Sequence, residues 1–481
     1  MSTFLDVLGA TGCGEVDERG GLTAARAGWK LDWWVRSAER WHKASTEAGV
    51  RQVQHETGAV VETRMRVLNG DAAHRVWAVA AGGSAASAAA PASALRAAVD
   101  VPAVAVVEIS NETATAFAFA MVLETANAKI VANQLGVWLD GTSVLAWDRS
   151  PAVVAVGQAE VAALLQAEVP AHGWVDTVNK PAVSKTKNTR NRKTGSDVVA
   201  LVWPLPHTAQ LAVSAALVSG RVPKPCDLPD ADAVIRGWES HLDRGARIEV
   251  PDEGLARRII QNRRRWLGLT GRMDTADVCE LTKLAVRLDH HGYHSDAELV
   301  LDEVAVRWTT QAPVEQLVAF AAHHDLTGDS NVAKRYVEAV AEAVEAAARA
   351  DLAVPVQAVQ RLLVAAGENT ASADLMRLGL AELSGPSDGL RAELVDDHGS
   401  ELLLVPGFRP KWRGGSLAAY GLPTRFGPLS YAVRWHGARP ALLWELGLRP
   451  TQQMPVLRAP SLDDAWSSVA AKGEALLRAH Q

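Results

Sequence analysis

The side chains with the most chemical promise in this 481-residue sequence are histidines and carboxylates gathered at a few turns. His290, His291 and His294 stand together, as do His323, His324 and Asp325, and metal ligation is the first chemistry they suggest. Ligand pairs on one helix face usually sit four residues apart, whereas adjacent histidines point away from each other. The two groups fall at equivalent ends of successive helical hairpins, so a shared site is geometrically possible. The commoner role is that of polar residues ending helices, where histidine is favoured. No metal and no cofactor is therefore expected. No P-loop, GxGxxG, GxSxG or cysteine-rich zinc pattern occurs.

Carboxyl groups are the other candidates, because a pair of them, one protonated and one ionised, can act as general acid and as base or nucleophile. Asp274, in GRMDTADV, reads as an N-terminal cap for a helix starting at Thr275, with Asp277 in its first turn. Glu368, in AAGENTA, falls in a turn between helices, where a catalytic acid could stand. Asp329 reads as a loop or cap residue, and Glu393, Asp396 and Asp397 as a solvated turn. Arg434 and His436 share one strand face with Trp435 on the other, which suggests a buried polar pair rather than a catalytic one.

The elements that must position these groups change character along the chain. Residues 1–220 carry short period-two segments, among them GWKLDWWVR, HRVWAVA, AFAFAMVLE and VVALVWPLPH, broken by Gly, Asn and Asp. Gly141 fits a hairpin tip, and Asn111 opens a turn before AFAFAMVLE. The period lengthens from Ala231. A helix runs to Asp243, a strand ends at Val250, and a second helix opens at Pro251-Asp252. On that helix Leu255, Ile259 and Trp266 form the apolar face, while Arg257, Arg258, Arg263, Arg264 and Arg265 point elsewhere. Helical hairpins follow with turns at Gly292 and Gly328, and a further pair lies within 355–383. Strands return at SELLLVPGF, and LSYAVRWH with PALLWEL form a hairpin around Gly437.

The net charge of −6 gives no field for nucleic acid, so none is expected as a partner. The run from Lys180 to Lys193 holds six Lys or Arg and no acid, and reads as a solvated loop; Gly82 to Ser93 reads as a flexible one. No stretch of 18 apolar residues suggests a membrane span, and the first residues lack a secretion signal, so a cytoplasmic protein is expected. Three distant cysteines form no disulfide ladder. Sixteen Trp against four Tyr and six Phe is unusual. Trp stacks well on sugar rings, but burial in β cores is its commoner use.

The words LLLVPGF, PTRFGPLSYAVRWHGARPALLWEL and GEALL resemble the closing β-domain of actinobacterial proteins related to the six-hairpin, glucoamylase-like glycosidases. WESHLDRGARIEVPDEGL resembles that family's bridge into its helical toroid, and LDHHGYHSDA and HHDLTGD its first two hairpins. The resemblance implies a multidomain α+β fold. Its parts would be an N-terminal β-sandwich (1–230), a shortened α/α-toroid (231–385) and a small C-terminal β-domain (386–481). Twelve helices would need on the order of 200 residues. Pro251 to Leu383 spans only 133 and has room for about seven.

The part missing is where such enzymes carry their acid and base. The expectation is therefore a glycoside-hydrolase-like pseudoenzyme that binds carbohydrate. An active glycosidase on an α-linked oligosaccharide is the alternative, and a structural protein assembling through the open toroid, with itself or a protein partner, is another. The resemblance carries over Asp274 as a sugar contact at the start of the first hairpin. Asp274 and Glu368, the latter with flanks that do not match the family, are the catalytic candidates, and Trp266, Arg272, Asp274 and Trp308 the sugar-binding set.

Overall fold

The computed structural model describes residues 2–8, 10–37, 40–55, 60–82, 101–126, 128–166, 197–307, 312–383, 389–450 and 452–478. The basic run at 180–193, most of the Ala/Ser/Gly-rich loop and Trp308 lie outside them. The fold is α+β, and the chain divides into two compact units, Met1–Ser240 and His241–Gln481.

The first unit contains two antiparallel eight-stranded sheets. One runs in the order 3–5, 14–16, 22–24, 29–37, 117–125, 198–205 and 153–156, with 40–43 paired to 29–37. The other runs 130–133, 136–139, 142–147, 210–216, 103–113, 70–80, 61–67 and 50–54. One core draws on both: Trp33, Phe119, Leu201 and Trp203 from the first sheet, Met65, Val107, Ile109 and Leu211 from the second. Each such side chain contributes roughly 1.5–3 kcal/mol by leaving water.

Strand Phe117–Thr125 is apolar almost throughout because it is buried on both faces. Phe117, Phe119, Met121 and Leu123 face that core, while Ala118, Ala120 and Val122 pack with Trp34 and with Val161 of helix α1 (Gln158–Gln166). Ala231, Val234 and Ile235 of α2 (Ala231–Leu242) pack against Trp77, Val79 and Val106. Asp140 and Gly141 take positive φ at the hairpin tip between 136–139 and 142–147. Asn111 does not open a turn. It lies inside strand Ala103–Thr113, 1% exposed, and from there ties down the connection that follows.

In the second unit α3 (Glu253–Leu269) is capped by Asp252, whose side chain accepts from Leu255 N. α4 (Val278–His290) and α5 (His294–Val306) follow, then α6 (Pro313–Thr327), α7 (Ser330–Arg349), α8 (Val356–Ala366), α9 (Asn369–Arg377) and α10 (Gly389–Leu394). Gly292, Gly328 and Gly367 take φ of 86°, 70° and 92° where helices end, a backbone state glycine enters without penalty. Two small sheets share a core with Leu255 and Ile259 of α3. One is ordered 247–249, 417–422, 429–436, 439–446 and 472–476, the other 395–398, 401–404, 456–459 and 463–468.

Arg263 does not point away with its neighbours. It is four residues beyond Ile259, on the same helix face, and is 7% exposed. Nε donates to His291 Nδ1 at 3.1 Å and Nη2 to the Ala246 carbonyl at 2.6 Å, which makes burial of the cation tolerable. Arg434 and His436 are exposed and form no buried pair; only Trp435 of that trio packs on the core.

Gly427, at φ 138°, lies against the backbone of Gly447, where an added Cβ would collide with the carbonyl oxygen. Gly427→Ala is expected to cost about 2–4 kcal/mol, since neither backbone can yield without opening the sheet. A chemical denaturation midpoint unchanged from wild type would contradict this.

Candidate functional site

The α4–α5 connection buries nearly every polar side chain it carries. Asp289, His290, His291, Tyr293 and Asp296 are each at most 5% exposed, in the stretch LDHHGYHSD. Two carboxylates anchor them. Asp296 accepts from His241 Nε2 at 3.1 Å on both oxygens, and His241 Nδ1 in turn accepts from Arg244 at 3.3 Å. Tyr293 donates to the Leu242 carbonyl at 2.8 Å, and burial pushes its hydroxyl up to about 12.

The other anchor is Asp289. An aspartate in the last turn of a helix opposes the helix dipole and needs partners that donate to it. It has two. His294 Nδ1 lies 2.8 Å from Oδ1, and His323 Nδ1, from α6, lies 2.9 Å from both oxygens. A carboxylate only accepts, so both rings carry their proton on Nδ1 and turn Nε2 away from it. Burial opposes both charges, yet attraction within the pair wins. The Asp289 carboxyl is held below its ordinary value and the His323 imidazolium above its own.

Two cavities adjoin this centre within the second unit. The larger, of about 620 Å³, is lined by His294 and His323 together with Arg244, Glu298, Asp329 and Tyr420. Its volume suits a mono- or disaccharide-sized molecule. Its carboxylates are already in use: Glu298 pairs with Arg335, and Asp329 caps α7 by accepting from Asn331 N at 2.8 Å. The smaller cavity, of about 410 Å³, is lined by His290, Asp325, Arg361, Arg391, Asp397 and Arg425. Asp397 is therefore no solvated-turn residue: it is mostly buried in an ion pair with Arg391, which keeps its carboxyl low despite burial. Glu393, too, is paired, with Arg409.

The residues singled out by sequence lie elsewhere. Asp274 is exposed in the 3₁₀ segment Thr270–Thr275; α4 starts three residues later than expected, and its cap is Asp277, in a reciprocal box with Glu280. Glu368 is exposed at the start of α9 and makes no side-chain cap bond. Trp266 is half-buried, its ring centroid 4.9 Å from His291 with the Arg287 guanidinium 6.0 Å away, and Arg272 is also half-buried. None of these four lines either cavity. Of the two histidine groups, the fold joins His294 and His323, but through a carboxylate. Among the described residues no three His, Cys, Asp or Glu side chains converge to hold a metal.

Asp289, Arg361, Arg391 and Arg425 were missed. The available signal for Asp289 was its place four residues after Ala285 on the buried face of α4, an odd position for an acid. Among the described residues no helix is long and apolar enough to cross a membrane. No protein-family model and no curated protein matches the chain.

Proposed function

We propose that the second unit is a carbohydrate-binding relative of the six-hairpin glycosidases in which α3 to α9 form a shortened toroid that no longer hydrolyses its ligand. The observation that carries this reading is the pair of imidazoles held by one buried carboxylate at the wall of the larger cavity. Sugar hydroxyls donate and accept at once, so their site needs fixed groups of both kinds. His294, His323 and Arg244 supply ring nitrogens and N–H donors there, Glu298 and Asp329 supply acceptors, and Tyr420 offers an aromatic face. The loss of hydrolysis follows from the carboxyl groups: both in this cavity are committed to Arg335 or to a helix cap, and neither Asp274 nor Glu368 borders it.

The test is titration calorimetry with a panel of α-linked oligosaccharides, run beside an assay for released reducing ends. Binding by wild type without turnover is expected, weakened at least roughly tenfold, about 1.4 kcal/mol, in His294→Ala. His294 suits the purpose because its side chain is partly exposed and its loss leaves the Asp289–His323 pair in place. No binding across the panel sinks the proposal. Turnover abolished by Asp274→Asn or Glu368→Gln would instead identify an active glycosidase.

A further inference from the structure

Three guanidinium groups, from Arg361, Arg391 and Arg425, line the smaller cavity beside the carboxylates of Asp325 and Asp397, and Arg449 stands close to both aspartates from the lining of the larger cavity. Arg361 grips Asp325 in a fork, Nε to Oδ1 at 2.8 Å and Nη2 to Oδ2 at 2.5 Å. Arg391 Nη2 donates to Asp397 Oδ1 at 3.0 Å and to the Pro423 carbonyl at 3.2 Å. Arg449 caps the end of α6, donating to the carbonyls of Asp325 and Leu326, where a cation complements the helix dipole.

Arg425 is left over. Asp397 Oδ2 accepts its backbone N–H at 2.9 Å, but its guanidinium makes no hydrogen bond to a described residue and lies over the Phe426 ring at 4.6 Å. Its Nε is buried without an acceptor, and so is the Nε of Arg391, a residue 9% exposed. A further carboxyl at the rim, Glu382, is exposed and is turned to the first turn of α8, where Gln357 N lies 3.4 Å from Oε2. Burying a cation without a hydrogen-bonded counter-charge is costly unless something else supplies one.

We propose that this cavity is a second binding site of the chain and takes a small molecule through one oxyanion, a carboxylate or phosphate group, held by the Arg425 guanidinium with the unpartnered Nε–H of Arg391. The guanidinium fork matches two oxygens of such a group at once. The carboxylates of Asp325 and Asp397 limit the site to one anionic group, because a second would meet like charge. A volume of about 410 Å³ suits a metabolite rather than a polymer. Burial also draws the Arg425 pKa down, as expected of a cation short of counter-charge. The site shares neither the histidine pair nor the carbohydrate reading.

The experiment is calorimetric titration of the full chain with inorganic phosphate and, separately, with malonate, in chloride buffers of constant ionic strength. One saturable site is expected for at least one probe, weakened at least tenfold by Arg425→Gln. Arg425→Lys should keep phosphate better than malonate, because an ammonium is a point charge rather than a fork. Thermal unfolding without probe should find Arg425→Gln close to wild type in stability, since it relieves the burial cost of a cation and deletes no side-chain hydrogen bond to a described residue. Absence of saturable binding of both probes by wild type, or equal affinity in wild type and Arg425→Gln, overturns the proposal.

Discussion

Replacing Asp289 with Asn is expected to lower the stability of the second unit by about 3–5 kcal/mol, the usual loss when one member of a buried ion pair is removed. For a unit of this size that corresponds to a fall in midpoint of roughly 6–20 °C. Asp289 is fully buried, as is His323, and the substitution leaves the two imidazoles without their common counter-charge.

The same pair fixes a pH dependence. The Asp289 carboxyl is held below its ordinary 3.8, so its contribution is complete above that value and is lost as pH falls toward the folded one. The His323 imidazolium is held above its ordinary 6.5, so its contribution is complete below 6.5 and is lost as pH rises through the folded value. Together they favour the folded state most between about pH 4 and 6.5. Thermal unfolding followed from pH 4 to 9 should show wild type weakening on the alkaline side and Asp289→Asn lacking that component. An alkaline loss of equal size in both proteins would remove the assignment.

Asn111→Ala is expected to destabilise the first unit by about 3–5 kcal/mol, because several buried groups lose their partners together. Asn111 Nδ2 reaches the carbonyls of Thr115 and Leu205 at 2.9 Å and of Pro206 at 3.1 Å. Its Oδ1 accepts from Thr113 N at 2.9 Å and Thr113 Oγ1 at 2.8 Å. One amide thus ties residues 113–115 to the end of strand Val198–Leu205, more than 90 positions away. Asn111→Asp should be worse than Ala, since a carboxylate presents acceptors to three carbonyls in a buried site. Denaturant unfolding monitored through Trp fluorescence tests both, and a loss under 1 kcal/mol for Asn111→Ala would refute the role.

Most turns and helix ends could be read in the chain, since their rules act over a few residues. Pro251-Asp252 opens α3, Gly292 and Gly328 end α4 and α6, and the Gly437–Ala438 tip joins strands Leu429–His436 and Arg439–Leu446. The three-residue misplacement of the α4 start came from taking Asp274 as the cap, although Asp277 followed by Glu280 is the stronger local signature. Arg263 was misread for a related reason: a run of arginines suggests a solvated face, while its spacing from Leu255 and Ile259 already put it on the buried one.

The candidate site was less legible. Its histidines could be seen clustering, but their partner could not. His323 meets Asp289 across 34 positions, Arg361 meets Asp325 across 36, and Arg449 reaches the end of α6 across more than 120. Sequence alone determined the alternation of the strands, the periodicity of the helices, the punctuation between them and the supply of ionisable side chains, because each depends on near neighbours. Only the tertiary structure decided which of those side chains lost their water and which opposite charge stood beside them. Those two quantities set protonation state and orientation, and neither depends on distance along the chain.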